Sequence, residues 1–292
     1  MEYKSPIPLL RYANVDIGSV SNDALLKAQK RLLVELDLSG TNSLAIGQQS
    51  FTKDDILTLI ESARETQFIR FHEWIHENPS LLKLISDGRA DDSRILFSGK
   101  LRANPAFDSF RSFISPFLAQ PLGKAIHQAF LKREFVKVDK LLQGADLIIS
   151  AYYDETFTKL KHAIQALASE IKQMQTDASR FNPSHFDFVD TSFIRVLNNL
   201  PDDFEPLREQ VVVALVNLAV THGKKYQAFF ANIHETLLLV KCRPATYQVI
   251  ESNVKVAKQN AERGTQQSSG PSPFRIIFFI LLILSFIMRT CH

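Results

Sequence analysis

Two histidines and a glutamate in the first third of the chain have the spacing of a zinc hydrolase site. The segment His72-Glu73-Trp74-Ile75-His76 matches the pattern H-E-x-x-H. Residues four apart share one face of a helix, so His72 and His76 could bind one zinc ion while Glu73 acts as general base for a zinc-bound water. The flanking residues indicate a helix over about 65–77, as this chemistry requires. One hypothesis is therefore a membrane-anchored, zinc-dependent hydrolase.

A third zinc ligand is not evident near this pattern. The metzincin extension would need glycine at position 79 and histidine at position 82, where the chain has Pro79 and Leu82. The next acidic residues fall in an expected loop over 87–92. The proline also favours an end to the helix just after the second histidine. The zinc hypothesis therefore has two ligands where three are needed.

The ordinary interpretation of the same segment is a structural helix. Phe68, Phe71 and Ile75 have helical spacing, which predicts an apolar face turned toward a core. Both histidines would then lie partly in solvent. The remaining histidines, His234 among them, are expected on the surface or in caps. Under this interpretation the chain has no catalytic residue, no metal ligand and no cofactor, so the sequence leans away from an enzyme.

Composition narrows the remaining classes of function. The chain has 34 basic and 31 acidic residues and no long basic run, so nucleic acid is not an expected partner. Two distant cysteines, Cys242 and Cys291, give no disulfide framework, which fits a reducing compartment. Glycine-rich phosphate motifs and the pattern G-x-S-x-G are missing from the sequence.

Helical patterns extend through most of the chain and predict a mostly α fold, with a multi-helix, bundle-like soluble body. Ser21 or Asn22 is expected to cap an early helix, and Thr52 to cap another. A short β-hairpin is expected near residues 43–52. Residues 211–220 read VVVALVNLAV, which is apolar on nearly all sides but too short to span a membrane. We expect a buried central helix there, with a strand as the alternative.

Phenylalanines in the middle of the chain recur at spacings of three and four, which is typical of one helix face. They are Phe107, Phe110, Phe113 and Phe117. Core packing is the expected role, and an aromatic ligand site is the alternative. Pro116 and Pro121 are expected to kink or divide this helix.

The strongest periodic signal lies between residues 153 and 181, where apolar residues alternate spacings of four and three. They are Tyr153, Phe157, Leu160, Ile164, Leu167, Ile171, Met174, Ala178 and Phe181. This pattern predicts one long helix with a narrow apolar seam. The seam would pack inside a bundle; a coiled coil that joins two chains into a homo-oligomer is the alternative.

The C-terminal residues are the most apolar part of the chain. Residues 276–288 read IIFFILLILSFIM, between Arg275 and Arg289. Residues 274–288 would make roughly 22 Å of helix, against a hydrocarbon core about 30 Å thick. Arginine side chains that reach the interface and local thinning of the bilayer can close this gap. We expect a single transmembrane helix, with an apolar core helix as the alternative.

The residues expected to contact lipid are Ile276, Phe279, Leu282, Phe286 and Met288. Those that add positive charge before the anchor are Lys255, Lys258, Arg263 and Arg275. Because only Arg289 follows the anchor, the N-terminal body is expected in the cytoplasm. The start MEYKSPIPLLRY has no apolar stretch of the kind found in secretory signals, so we expect a tail-anchored, single-pass protein. A cysteine without a role is the favoured interpretation of Cys291 beside the anchor, and acylation is the alternative.

These patterns divide the chain into four parts. Residues 1–100 form an N-terminal helical region, 101–258 a helical bundle, 259–273 a flexible linker and 274–289 the membrane anchor. The linker reads QNAERGTQQSSGPSP, too polar to form a packed core. The expected function is that of a membrane-tethered protein-interaction or scaffold module, with lipid and an unknown protein as partners.

Overall fold

The computed structural model describes residues 3–47, 49–90, 102–177, 179, 181–222 and 226–264. These residues are mostly helical, which confirms the predicted mostly α fold. They form two compact units. The first comprises the described residues up to Ala125 with Gln143–Phe157, and the second comprises Ile126–Leu142 with the described residues from Thr158 onward. The predicted domain boundaries stay a prediction.

Among the described residues, five α-helices and one hairpin form the N-terminal part of the first unit. In chain order they are α1 (Pro6–Tyr12), α2 (Asn22–Ser39), β1 (Ser43–Ile46), β2 (Gln49–Thr52), α3 (Lys53–Ser62), α4 (Thr66–His76) and α5 (Pro79–Asp87). The expected caps are present: Ser21 Oγ accepts the Ala24 amide, and Thr52 and Asp55 form a reciprocal capping box. The sequence patterns do not predict the helices α1 and α5.

The predicted hairpin is confirmed. Strands β1 and β2 pair antiparallel, with Leu44 opposite Phe51. Gly47 in the turn has a φ of 63°, a left-handed conformation that glycine adopts without steric cost. The side chains of Leu44, Ile46 and Phe51 are buried in a core formed with α2 and α3. The hairpin therefore closes one side of this core.

The phenylalanine-rich segment forms α6 (Phe107–Leu131), a single helix that contains both Pro116 and Pro121. The expectation that these prolines divide the helix is wrong. Each proline removes a backbone hydrogen bond, but the helix is held by its neighbours. The hydroxyl of Ser115 is hydrogen-bonded to Leu147 O (2.9 Å) and accepts the Ile149 amide (3.0 Å). The contacts of the surrounding chain thus offset part of the proline cost.

A glycine sets the closest approach in this region. A Cβ atom added at Gly123 of α6 would lie 2.3 Å from the backbone carbonyl oxygen of Thr156. Real side chains essentially never come this close, so only glycine fits. Thr156 lies near the start of α8 (Tyr153–Thr176), which follows α7 (Phe135–Leu142) along the chain.

The predicted apolar seam is buried along α8. Its buried members include Leu160, Ile164, Ile171 and Met174, and Leu167 is half-buried. This is the packing that the bundle interpretation predicts; self-association stays a prediction. The helix ends at Thr176, so the seam does not continue as one helix to Phe181, which stacks instead on the ring of His222 at 4.5 Å. Ala178 lies outside the described residues.

In the part of the second unit that the structure describes, four more α-helices follow α8. They are α9 (Thr191–Asn199), α10 (Glu205–His222), α11 (Gln227–Leu237) and α12 (Pro244–Gly264). Residues 211–220 are helical within α10 and mostly buried, which confirms the helix interpretation over the strand. Helix α12 runs to Gly264, so residues 259–264 of the predicted linker are helical.

The predicted membrane anchor lies outside the described residues. Within the part of the chain that the structure describes, no helix combines the length and apolar character that crossing a bilayer needs.

Candidate functional site: the HEWIH helix and the N-terminal segment

The HEWIH segment forms the last turns of α4, on a helix as the sequence predicts. The helix ends at His76, and the chain turns at once into α5. The Asn78 side chain accepts the Leu81 amide at 3.1 Å, and Pro79 occupies the first turn of the new helix, where its missing N–H costs nothing. Thus Asn78 and Pro79 both end α4 and start α5, which fixes the position of His76 at a helix junction.

His72 is buried, with 4% of its surface exposed. The expectation that this histidine lies partly in solvent is therefore wrong. Its Nδ1 is hydrogen-bonded to the Tyr3 hydroxyl at 2.8 Å, and the ring edge packs on Phe113 with the ring centres 5.1 Å apart. The Tyr3 ring packs in turn on Phe117. The helix face that carries His72 is therefore an inner face, covered by the N-terminal segment and by α6.

His76 is half-buried and also contacts the N-terminal segment. Its Nε2 lies 3.0 Å from Ser5 Oγ, which also accepts the Ile7 amide as the cap of α1. Between these contacts, Lys4 forms an ion pair with Asp55 at 2.6 Å, and Asp55 belongs to the capping box of α3. Three consecutive residues thus connect α1, α3 and α4. We call residues 3–5 the N-terminal clamp.

Burial controls the protonation of Tyr3 in the clamp and of the two histidines that the clamp contacts. Burial, with a smaller contribution from the neighbouring His76, lowers the pKa of His72 to about 3. Burial also lowers the pKa of His76, with the charge of Arg11 adding to the effect. Burial raises the pKa of the Tyr3 hydroxyl. At neutral pH both histidines are therefore uncharged, and the tyrosine keeps its proton. A neutral hydrogen-bonded pair is what a dry protein interior tolerates.

Neutral histidines are competent zinc ligands, and a metal-bound histidine commonly uses its second nitrogen in a hydrogen bond. The contacts with Tyr3 and Ser5 are compatible with this arrangement. However, the described residues contain no group of three or more histidine, cysteine, aspartate or glutamate side chains placed to hold a metal. Glu73 lies half-buried on the same helix without completing such a group. The geometry therefore supports the clamp as a structural element, and the zinc hypothesis stays a prediction, because Asp91 and Asp92 lie outside the described residues.

A second buried histidine was not anticipated. His234 on α11 is 5% exposed, and neither ring nitrogen has a hydrogen-bond partner among the described residues. The expectation of a surface or capped histidine is wrong here. Burial lowers the pKa of His234 to about 4. Apolar neighbours at three- and four-residue spacing, Phe230, Ile233 and Leu237, carry the burial signal.

The predicted anchor residues Ile276, Phe279, Leu282, Phe286 and Met288, and the flanking Arg275 and Arg289, lie outside the described residues. Their role stays a prediction.

No protein-family model matches the chain, and no curated protein or solved structure matches it either.

Proposed function

We propose that this chain is a tail-anchored membrane protein whose helical body faces the cytoplasm and binds another protein. The observation that carries the proposal is the apolar sequence over residues 276–288, bounded by Arg275 and Arg289 and preceded by a polar linker. A helix without a polar face has no stable place on a protein surface in water, whereas a bilayer accepts it. The excess of basic residues before the anchor favours a cytoplasmic body.

The outer face of α2 supports a role in protein binding. Leu38 is 81% exposed, and Val34, one turn earlier, and Leu26 are exposed as well. Exposed aliphatic side chains aligned on one helix face are typical of protein-interaction surfaces. Lys27 and Lys30 lie on the same face. We propose this face as the site that contacts the unknown protein partner.

Carbonate extraction of cell membranes tests the anchor. We expect the full chain to stay with the membranes at high pH, and the variant Phe279→Arg/Leu282→Arg to be released, since each arginine near the centre of a span costs about 3 kcal/mol. The variant Gln266→Arg/Gln267→Arg adds the same charge outside the apolar run and should stay bound. Release of the full chain itself would contradict the anchor.

Glycosylation reports the orientation. An N-glycosylation acceptor sequence added after His292 should be modified if the C-terminus crosses the endoplasmic reticulum membrane, and one added before Met1 should not. The opposite pattern would contradict a cytoplasmic body.

Photo-cross-linking tests the interaction surface. A photoreactive residue at Lys30 should give a discrete protein adduct in membranes. We expect Leu38→Glu to abolish the adduct and Leu239→Glu to leave it intact, because Leu239 is an exposed leucine that lies outside α2. An adduct that survives Leu38→Glu, or no adduct at all, would contradict protein binding through this face.

A further inference from the structure

The corner between α6 and α7 has an unusual backbone. It consists of residues 131–137 and is closed by two hydrogen bonds: the Glu134 amide donates to Ala129 O and the Arg133 amide to Phe130 O, both at 2.9 Å. This is the pattern of a helix end with a left-handed residue at its turn. That residue is Arg133, with a φ of 58°, where glycine would be the usual choice.

The inner side of the corner is fixed and its outer side is bare. Phe130 and Phe135 are buried, and their rings pack edge to face with centres 5.6 Å apart. The guanidinium of Arg133 donates to His185 O at 2.8 Å and lies 4.5 Å from the centre of the Phe188 ring. Against this rigid support, Leu131 is 63% exposed and Val136 is 49% exposed. Two aliphatic side chains therefore stay in contact with water, which is unfavourable in free energy.

The charged residues around these side chains are mostly basic. Lys132, which is exposed, and Lys137, which is half-buried, neighbour them in the sequence together with Arg133, and Glu134 is the single acidic residue within 131–137. Over the whole chain basic and acidic residues nearly balance, 34 against 31, so this local excess of positive charge is a feature of the corner. Apolar side chains framed by cations complement the surface of an anionic bilayer, where lysines meet the headgroups and aliphatic groups enter the acyl boundary.

We infer that this corner docks on an anionic membrane surface, with Leu131 and Val136 inserted and Lys132 and Lys137 against lipid headgroups. The inference rests on the proposed membrane attachment. The same unit carries α12, and the residues between Gly264 and Phe274 span at most about 30 Å when extended. A body tethered this closely meets the membrane at high local concentration, so a weak contact suffices.

Depth-dependent fluorescence quenching tests the inference on the full chain. The chain is reconstituted into vesicles of phosphatidylcholine alone or with phosphatidylserine, each containing spin-labelled lipid. With Cys242→Ser and Cys291→Ser as background, single cysteines at Leu131, Ser169 or Phe279 carry an environment-sensitive dye. Ser169 is an exposed position on α8 and serves as the control, and Phe279 reports the tail. We expect quenching at Leu131 only with phosphatidylserine, and none at Ser169.

A charge reversal sharpens the result. Lys132→Glu/Lys137→Glu should lower the docked fraction by about tenfold or more, because each lysine near an anionic surface contributes about fivefold. Lys159→Glu/Lys172→Glu makes the same charge change at exposed positions of α8 and should leave quenching at Leu131 unchanged.

The experiment distinguishes failure of the proposed anchor from failure of the docking inference. Quenching at Phe279 but not at Leu131 would overturn the docking inference while the anchor stands. Quenching at Leu131 but not at Phe279 would support docking and contradict the anchor. Quenching at neither position, or equal quenching at Leu131 without phosphatidylserine, would overturn the inference. A dye at Leu131 that responds to polyglutamate and not to vesicles would assign the corner to an acidic protein and likewise overturn it.

Discussion

His72 and His234 lie in different units of the molecule and solve the same problem differently. Both are buried on amphipathic helices and uncharged at neutral pH. His72 is hydrogen-bonded to Tyr3, whereas His234 has no partner for either nitrogen among the described residues. A buried polar group without a partner costs free energy that a hydrogen bond recovers. Thus the histidine in the H-E-x-x-H pattern has a hydrogen bond that offsets the free-energy cost of burial, whereas the histidine outside any motif lacks one among the described residues.

The most severe form of an unpartnered buried group is a carboxylate placed in the α8 seam. Ile164 is fully buried, so Ile164→Asp should cost several kcal/mol, comparable to the stability of a domain, and unfold the unit that contains it. Leu167→Asp at the half-buried neighbouring seam position should cost less. Circular dichroism and light scattering measure the outcome. A folded, helical Ile164→Asp monomer derived from a wild-type dimer would instead show that the seam joins two chains.

Acid should destabilise both regions. The folded-state pKa values of about 3 for His72 and about 4 for His234 lie below the ordinary value of 6.5. The unfolded chain therefore binds more protons between pH 6.5 and these values, so stability present at pH 7 is lost as the pH falls. For His234 this amounts to roughly 3 kcal/mol by pH 4. Urea unfolding at pH 7 and pH 5 measures the loss.

A matched pair of variants identifies the source of that loss. His234→Leu should flatten the pH dependence, whereas His162→Leu at an exposed position should not. Equal slopes in the two variants would show that His234 titrates normally in the folded state.

Removing the Tyr3 hydroxyl should leave the buried Nδ1 of His72 without its hydrogen bond. Tyr3→Phe keeps the ring but leaves Nδ1 of His72 without its partner, so we expect a loss of about 1–3 kcal/mol in the free energy of unfolding. In the Tyr3→Phe background, His72→Leu should cost less than in the wild type. A double-mutant cycle by urea unfolding gives the coupling. Additive effects would contradict the pairing of Tyr3 with His72.

Removing the imidazole of His234 should have the opposite sign. His234→Leu replaces two nitrogens that have no partner among the described residues with an apolar side chain of similar size, so we expect stability at pH 7 to rise by about 1 kcal/mol. His72→Leu, which removes the hydrogen bond to the Tyr3 hydroxyl, should lower the stability at pH 7. A loss of stability in His234→Leu would show that the imidazole nitrogens of His234 have hydrogen-bond partners after all.

The sequence predicted what local patterns determine. The capping box of Thr52 and Asp55, the hairpin around Gly47 and the helix over residues 211–220 each follow from neighbouring residues. It could not predict the clamp, because Tyr3 and His72 are 69 positions apart and nothing in either segment specifies the other. The prediction that the seam helix extends to Phe181 is wrong for a related reason. Phe181 continues the spacing, but it lies beyond the end of the helix and is buried by stacking on His222.

Zinc analysis of the purified protein tests the central claim most directly, that His72 and His76 hold the N-terminal clamp and do not hold a metal. We expect the full chain, produced with added zinc and measured by atomic emission, to contain far less than one zinc per molecule. We also expect His72→Ala/His76→Ala to reduce stability without changing the metal content. About one zinc per chain, lost in a double variant that stays folded, would contradict the account and restore the hydrolase hypothesis with Glu73 as its base.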